Sequence, residues 1–301
     1  MKHNKSRLFK LIDMVYICMM VLPVVAGILL KVLTAPPAEG IQITGARIFC
    51  RIPMPLQDLL ITEAQINSWL VMISIFGLCL YITHGLTTKN ISKRQHLAEW
   101  IVTTVEKLVS GNMGEYFKGF APFITAILAL SAFSSLLSLV GLYPPTSDLN
   151  VVGGWAILVF ILITYYKAKC GPLQYMKSFA EPVPFLAPLN IISEVATPLS
   201  MAFRHYGNVL SGTVISVLIA TGLQGLSRLL LGWIPVLGEL SLLQIGLPAI
   251  LSIYFDVFSG CLQAYIFAML TMMYVAGGFP LDLYLQRKQK KHKKQLSGGN
   301  V

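Results

Sequence analysis

The sequence predicts an all-α integral membrane protein of about six transmembrane segments, and three observations predict it. Hydrophobic residues make up 55% of the 301 and charged residues 12%, whereas soluble domains carry about 25% charge; mean hydropathy is +0.70. Windows of about twenty residues, the length that crosses a bilayer core, pick out apolar segments at 13–33, 66–86, 119–142, 151–166, 189–222 and 245–277. Lys and Arg, which collect on the cytoplasmic side, are the third signal. With both termini inside, the inner segments hold Lys2, Lys5, Arg7, Lys10, Lys89, Lys93, Arg94, Lys107, Lys118, Lys167, Lys169, Lys177 and the six basic residues of the tail Arg287 to Lys294, against Arg47, Arg51 and Arg228 outside.

The net charge of +10 is therefore a membrane feature. Six of the 23 basic residues stand in that one tail (RKQKKHKK), where they face anionic lipid and not nucleic acid. The five cysteines have no metal-ligand spacing and act as apolar fillers.

In chain order, the first segment follows a basic start, as a secretory signal does. Its run is long for a signal, LTAPPAEG after it lacks a small-x-small cleavage site, and a retained helix is expected. The stretch Leu86 to Gly119 contains EWIVTTVEKLV, a pattern for a helix along the inner surface. YPPTSDLN is an outer turn in which Pro144 and Pro145 break one helix and Asp148 caps the next. Segments five and six exceed the length needed to cross, which predicts tilt. Residues 1–65 thus form a basic start, an extra helix and an outer loop, 66–286 the membrane domain, and 287–301 a basic cytoplasmic tail.

Segment five holds the anomaly. PLSMAFRHYGNVLSG, Pro198 to Gly212, places Arg204 deep in an apolar stretch, where a charge costs a few kcal/mol and normally faces a polar cavity or a partner. Ser193, Thr197, Ser200, Arg204, Asn208 and Ser211 recur at steps of three or four and share one helix face. Segment six carries a matching stripe, Ser252, Asp256, Ser259 and Gln263. Segment five rises from the inside, so Glu194 lies near the inner face and Arg204 roughly 15 Å deeper at 1.5 Å per residue. Segment six descends, which puts Asp256 in the outer half and Gln263 level with Arg204.

An acid toward each face with a fixed cation between them suits an ion path interrupted in the middle. Arginine does not deprotonate in proteins, so it blocks a straight cation path yet attracts a carboxylate from a partner. Such a carboxyl would cross lipid neutral and give up its proton near Arg204. A structural ion pair between Arg204 and Asp256 is the plainer alternative. A secondary ion-coupled transporter also places charges near the midplane, but two matching halves are missing. HExxH, GxSxG, CxxC and GxxxxGK[ST] are all absent, which excludes the enzyme classes they mark and calls for no cofactor.

PLNIISEVATPLSMAFRHYGNVLSG resembles the helix signature of subunit a of F-type ATP synthases, LQAYIFAMLTMMYV resembles that subunit's last helix, and YPPTSDLNV its turn; the collinear similarity spans about 66 to 279. The resemblance implies a plasma-membrane stator whose two long helices form a hairpin against a rotating ring of subunits c. It also implies a peripheral stalk of subunit b, and two offset half-channels that pass H⁺, or Na⁺ in its place. By position Arg204 matches the essential arginine, Asn208 the asparagine beside it, Gln263 the last-helix glutamine and Glu194 the inner acid. His205 stands where the family has an apolar residue, and a place against headgroups or neighbouring chains is expected for it. Thr213 stands where many members have an acid or histidine, which leaves Asp256 as the titratable group of the outer half-channel.

Overall fold

A computed structural model describes residues 2–34, 45–55, 58–88, 91–169, 171–179, 184–231, 246–279 and 285; at 2–7, 173, 174, 178, 231 and 247–249 only the backbone is described. The tail Arg287 to Lys294, Lys89 and residue 245 lie outside the described residues. Six helices among the described residues are long and apolar enough to cross a membrane.

The first, α1 (Lys2–Thr34), lies along α2 (Glu63–Thr83). The two backbones approach closely because Gly77 has no side chain: a Cβ there would sit 2.9 Å from the Met20 amide nitrogen and 3.0 Å from the Met19 carbonyl carbon. Small residues permit such approaches between membrane helices. Polar groups fasten both ends of α1. Asp13 pairs with His84 at 2.9 Å and Arg94 at 3.0 Å, and Phe9 stacks on His84. At the far end the Lys31 ammonium donates to the Gly141 carbonyl, and the Arg47 guanidinium donates to the Thr34 carbonyl at 3.1 Å.

Between α1 and α2 the chain forms an antiparallel hairpin, β1 (Ile48–Ile52) with β2 (Leu59–Thr62), irregular between Ile48 and Cys50. Reading this region as an outer loop misses the hairpin, because two short strands give too few alternations to register.

Helix α3 (Lys93–Met113) begins where the Ser92 side chain accepts from the Gln95 amide. Its polar face stays exposed while Val105, Val109 and Met113 join the main core, so the amphipathic pattern seats it against the bundle. A 3₁₀ turn (Glu115–Phe120) leads into α4 (Ala121–Leu136), which a second 3₁₀ turn, Leu137–Val140, extends to Gly141. Pro144 opens the next turn, and the Asp148 carboxylate accepts from the Asn150 amide at 2.9 Å at the start of α5 (Leu149–Lys169). The short α6 (Pro172–Phe179) follows.

Helix α7 (Ala187–Leu231) has 45 residues, about 68 Å at 1.5 Å per residue. Since a bilayer core is only about 30 Å thick, α7 must tilt or project beyond the core. Antiparallel to it runs a continuous helix made of α8 (Leu247–Ser252), a π-helical stretch (Ile253–Ser259) and α9 (Gly260–Gly277). The core gathers side chains of α3, α4, α5 and α9, with Ile124, Val159, Phe267 and Met272 at 0–0% exposure, that is, fully enclosed. Against α4, a Cβ on Gly260 would meet the Ser135 Cβ at 2.5 Å.

Gly77→Val should destabilise the chain by about 1–3 kcal/mol, the cost of overpacking a closed contact. Gly111→Ala, where nothing lies within 4 Å, should be neutral or stabilising by up to about 1 kcal/mol. Thermal unfolding of the two variants in detergent checks the contrast.

Candidate functional site

Arg204 sits midway along α7 and is exposed. Among the described residues it has no hydrogen-bond or ion-pair partner: the ion pairs are those of Asp13 with His84 and Arg94, Glu115 with Lys118, and Glu194 with Lys167. A structural pair between Arg204 and Asp256 is therefore not formed.

One step of about 100° along the helix turns the next residue the other way. His205 is fully buried, edge-on to Trp155 and Phe267 with centroids at 6.0 and 5.6 Å. Its Nε2 lies 3.2 Å from the Ser131 hydroxyl, and its Nδ1 has no partner. The expectation that His205 rests against headgroups or a neighbouring chain is corrected: the ring packs in this chain's own core, away from the Arg204 face.

The rest of the segment-five stripe stays largely open. Ser193, Ser200 and Ser211 are exposed, Thr197 and Asn208 half-buried. The Thr197 and Ser211 hydroxyls donate to the carbonyls of Ser193 and Asn208, the internal bonding by which hydroxyls satisfy themselves on a helix.

The segment-six stripe is divided. The Ser259 hydroxyl donates to the Asn208 side-chain oxygen at 2.8 Å, and the Asn208 amide returns a bond to the Ser259 carbonyl at 3.4 Å. Asp256 instead lies beside Ser138, in the turn after α4, whose hydroxyl donates to the Ser135 carbonyl at 2.7 Å. Ser252 is half-buried and Gln263 buried. A single stripe assumes an unbroken 3.6-residue period, and the π-helical turns around Asp256 break it. The Asn208–Ser259 contact and the approach of Gly212 to Phe255 set an antiparallel register that brings Gln263 level with Arg204.

Two cavities flank the arginine. One, of about 210 Å³ at the Glu194 end, is lined by Lys167, Glu194, Thr197 and Tyr274 among others. There Glu194 Oε1 accepts from Lys167 Nζ at 2.8 Å and from the Tyr175 hydroxyl at 2.9 Å. Burial and the adjacent Glu194 carboxylate push the Tyr175 phenol up to about 12, so it stays a donor at neutral pH. The other cavity, about 290 Å³ at the Pro144 end, is lined by Lys31, Arg47, Glu63, Ser138, Tyr143 and Thr213 among others. The two share no lining residue. On α7 the lining of the Glu194 cavity stops at Thr197 and that of the other begins at Leu210, about 10 Å and 9 Å from Arg204 along the axis.

Sequence reading overlooks three groups of the second cavity. The pattern gives Lys31 and Glu63 no role and counts Arg47 only among the outer basic residues; the folded chain brings them together. Among the described residues no group of His, Cys, Asp and Glu could hold a metal ion.

These features define a multi-pass α-helical membrane protein that carries an exposed arginine, Arg204, midway along its longest helix. Residues 65–276 match the family described as ATP synthase A chain, and the chain belongs to that family. It is 28% identical over 222 residues to ATP synthase subunit a of Legionella pneumophila, covering 72% of this chain and 86% of that protein. With ATP synthase subunit a of Bacillus pumilus the identity is 31% over 223 residues, 68% of this chain and 89% of that one. With ATP synthase subunit a 1 of Crocosphaera subtropica it is 27% over 233 residues, 75% and 89%. The chain is thus a non-catalytic, ion-translocating membrane subunit of ATP synthase, one part of a larger complex.

The Asn208–Ser259 pair is the polar link between α7 and the π turn. A double-mutant cycle with Asn208→Ala and Ser259→Ala, read by unfolding in detergent, should return a coupling of about 0.6–1.7 kcal/mol, the range for such bonds between membrane helices.

Proposed function

We propose that the chain is the stator half of a rotary ion path in a bacterial plasma membrane, with both termini in the cytoplasm. Its moving partner is a ring of subunits c that present one carboxyl each to the exposed face of α7; subunit b and the rest of the complex hold it still. The observation that carries this reading is the placement of Arg204: exposed, unpaired among the described residues, and between two cavities with no common wall.

An ion arriving through the outer cavity reaches Asp256 by way of Ser138 and loads a ring carboxyl. The loaded carboxyl is neutral and tolerates lipid as the ring turns. Returning to Arg204 it must ionise, because a fixed cation nearby favours the charged form. The ion then leaves past Thr197 and Glu194, which Lys167 and Tyr175 hold in place. Asn208 and Ser259 hold the two long helices in register, Gln263 stands level with the arginine, and Ser200, Ser211 and Ser252 supply polar atoms along the way. His205 supports the path from behind, by packing. The translocated ion is H⁺, with Na⁺ the alternative that a sodium-dependent ATPase activity would reveal. Each charge crossing 100 mV releases about 2.3 kcal/mol, so several must pass per ATP and a leak between the cavities would waste them. A secondary ion-coupled transporter would need no ring and no unpaired outward arginine.

Arg204→Ala in vesicles holding the assembled complex should abolish ATP-driven acidification while assembly, followed by copurification, stays intact. Asp256→Asn should lower pumping at least tenfold. Normal acidification by Arg204→Ala would reduce Arg204 to a structural cation and end this reading.

A further inference from the structure

Helix α1 precedes the residues that match the family, yet it reaches into the functional part of the molecule. Lys31, in its last turn, lines the cavity at the Pro144 end. The Lys31 ammonium donates to the carbonyl of Gly141, which closes the extension of α4 with φ +77, a backbone conformation suited to glycine. Three residues before Gly141 stands Ser138, which lies beside Asp256. Arg47 lines the same cavity, donates to the last carbonyl of α1, and through its own carbonyl accepts from the Glu63 amide at 2.8 Å. Helix α1, the hairpin arm and α2 therefore meet around one carboxylate.

That carboxylate, Glu63, is 8% exposed and has no side-chain hydrogen bond or ion pair among the described residues. Lys31 from α1, Arg47 from the hairpin arm and Tyr143 from the turn line the same cavity, and Glu63, Asp148 and Tyr206 all act on the Tyr143 phenol. Burial first, then the charge of Asp148, holds the Tyr143 phenol above its ordinary value, so it stays neutral. Among the described residues no group of three or more His, Cys, Asp and Glu side chains gathers here to hold a metal ion. A proton differs, since it can bond covalently to a carboxylate oxygen. A cavity of about 290 Å³ has room for several waters at about 30 Å³ each, enough to pass a proton from Glu63 toward Ser138.

We propose that α1 is a working wall of the outer ion path, in which Lys31 is a positioning residue: it pins the Gly141 turn beside Ser138 and lines the cavity in which Glu63 is the first proton acceptor. In the step itself a hydronium ion gives its proton to a Glu63 carboxylate oxygen, forming an O–H bond and releasing water. The proton then returns to cavity water and reaches the Asp256 carboxylate. The proposal rests on the stator reading of Arg204.

The test uses the whole complex in proteoliposomes, with ATP synthesis driven by a fixed imposed potential while pH is varied on the Glu63 side. Lys31→Gln keeps an amide donor for the Gly141 carbonyl and removes only the charge. Removing a cation from the cavity wall eases the entry of another positive charge, so the alkaline limb of the profile should extend to higher pH with the maximal rate unchanged. Lys31→Met, which also removes the donor, should show the same shift with a maximal rate severalfold lower. Glu63→Gln should lose most of the rate at alkaline pH. A wild-type profile in Lys31→Gln, or a wild-type rate in Glu63→Gln, overturns the proposal; Lys31→Gln answers even where Lys31→Met does not assemble. Arg204→Ala, run in parallel, separates the two readings: if it loses coupling while Lys31→Gln is silent, only the role of α1 fails, and if it still pumps, the stator reading fails first.

Discussion

A guanidinium in the middle of a membrane helix cannot shed its charge, and the low-dielectric surroundings make a charge without a partner expensive. Most membrane proteins answer by turning such a group inward onto an acid of their own. In this chain Arg204 faces out, and among the described residues no acid meets it. The rest of the architecture follows from holding that one group outward at a fixed depth. Helix α7 is left open along its polar stripe, with only 6% of its most apolar window buried, the smallest share of the six crossing helices. The cavities that approach Arg204 from either end stop short of it and of each other.

Holding a charge in place calls for rigidity behind it, and that is where the core is densest. His205, one residue away, is locked among Trp155, Phe267 and Ser131, so the orientation of Arg204 is set by a ring on the opposite side of the same helix. The Asn208–Ser259 bonds fix the level at which the two long helices cross. Close contacts of small residues, Gly260 on Ser135 and Gly212 on Phe255, bring α9 and its π turn against their neighbours without room for slippage. The π turn sends Asp256 toward α4 while Ser259 reaches α7, a division that a regular α-helix would not make.

The ends of the bundle are polar by a different logic. Near Glu194 a lysine and a tyrosine both donate to one carboxylate, a satisfied cluster at the rim of a cavity. Near Pro144 the cations come from consecutive segments, Lys31 and Arg47, and the acid from the next, against a turn about eighty residues further along. The hydrogen bonds of Asn67 and Thr62 to Tyr143 and Asp148 knit that end together. Helix α1 is as much a part of it as the helices within the family match, fastened at one end by Asp13 and at the other by Lys31.

Much of this was legible in the residues. Apolar length fixes six crossings because a bilayer has one thickness, basic residues sort the loops, and Pro144, Pro145 and Asp148 write a turn and a cap into nine letters. An arginine within an apolar run announces a function by its cost alone, and helix periodicity places Ser200, Asn208 and Ser211 beside it. Other features are invisible to local pattern. The inward turn of His205, the union of Lys31, Arg47 and Glu63 around one cavity, the clasp of Lys167 and Tyr175 on Glu194, and the π turn at Asp256 depend on contacts between residues up to 110 positions apart. The chain by itself thus determined its class, its apolar segments and the one charge that stands out within them, Arg204 of segment five, since these follow from solvation and period. Only the tertiary structure decided which polar groups meet, because that is settled by packing between segments whose order in the sequence carries no distance.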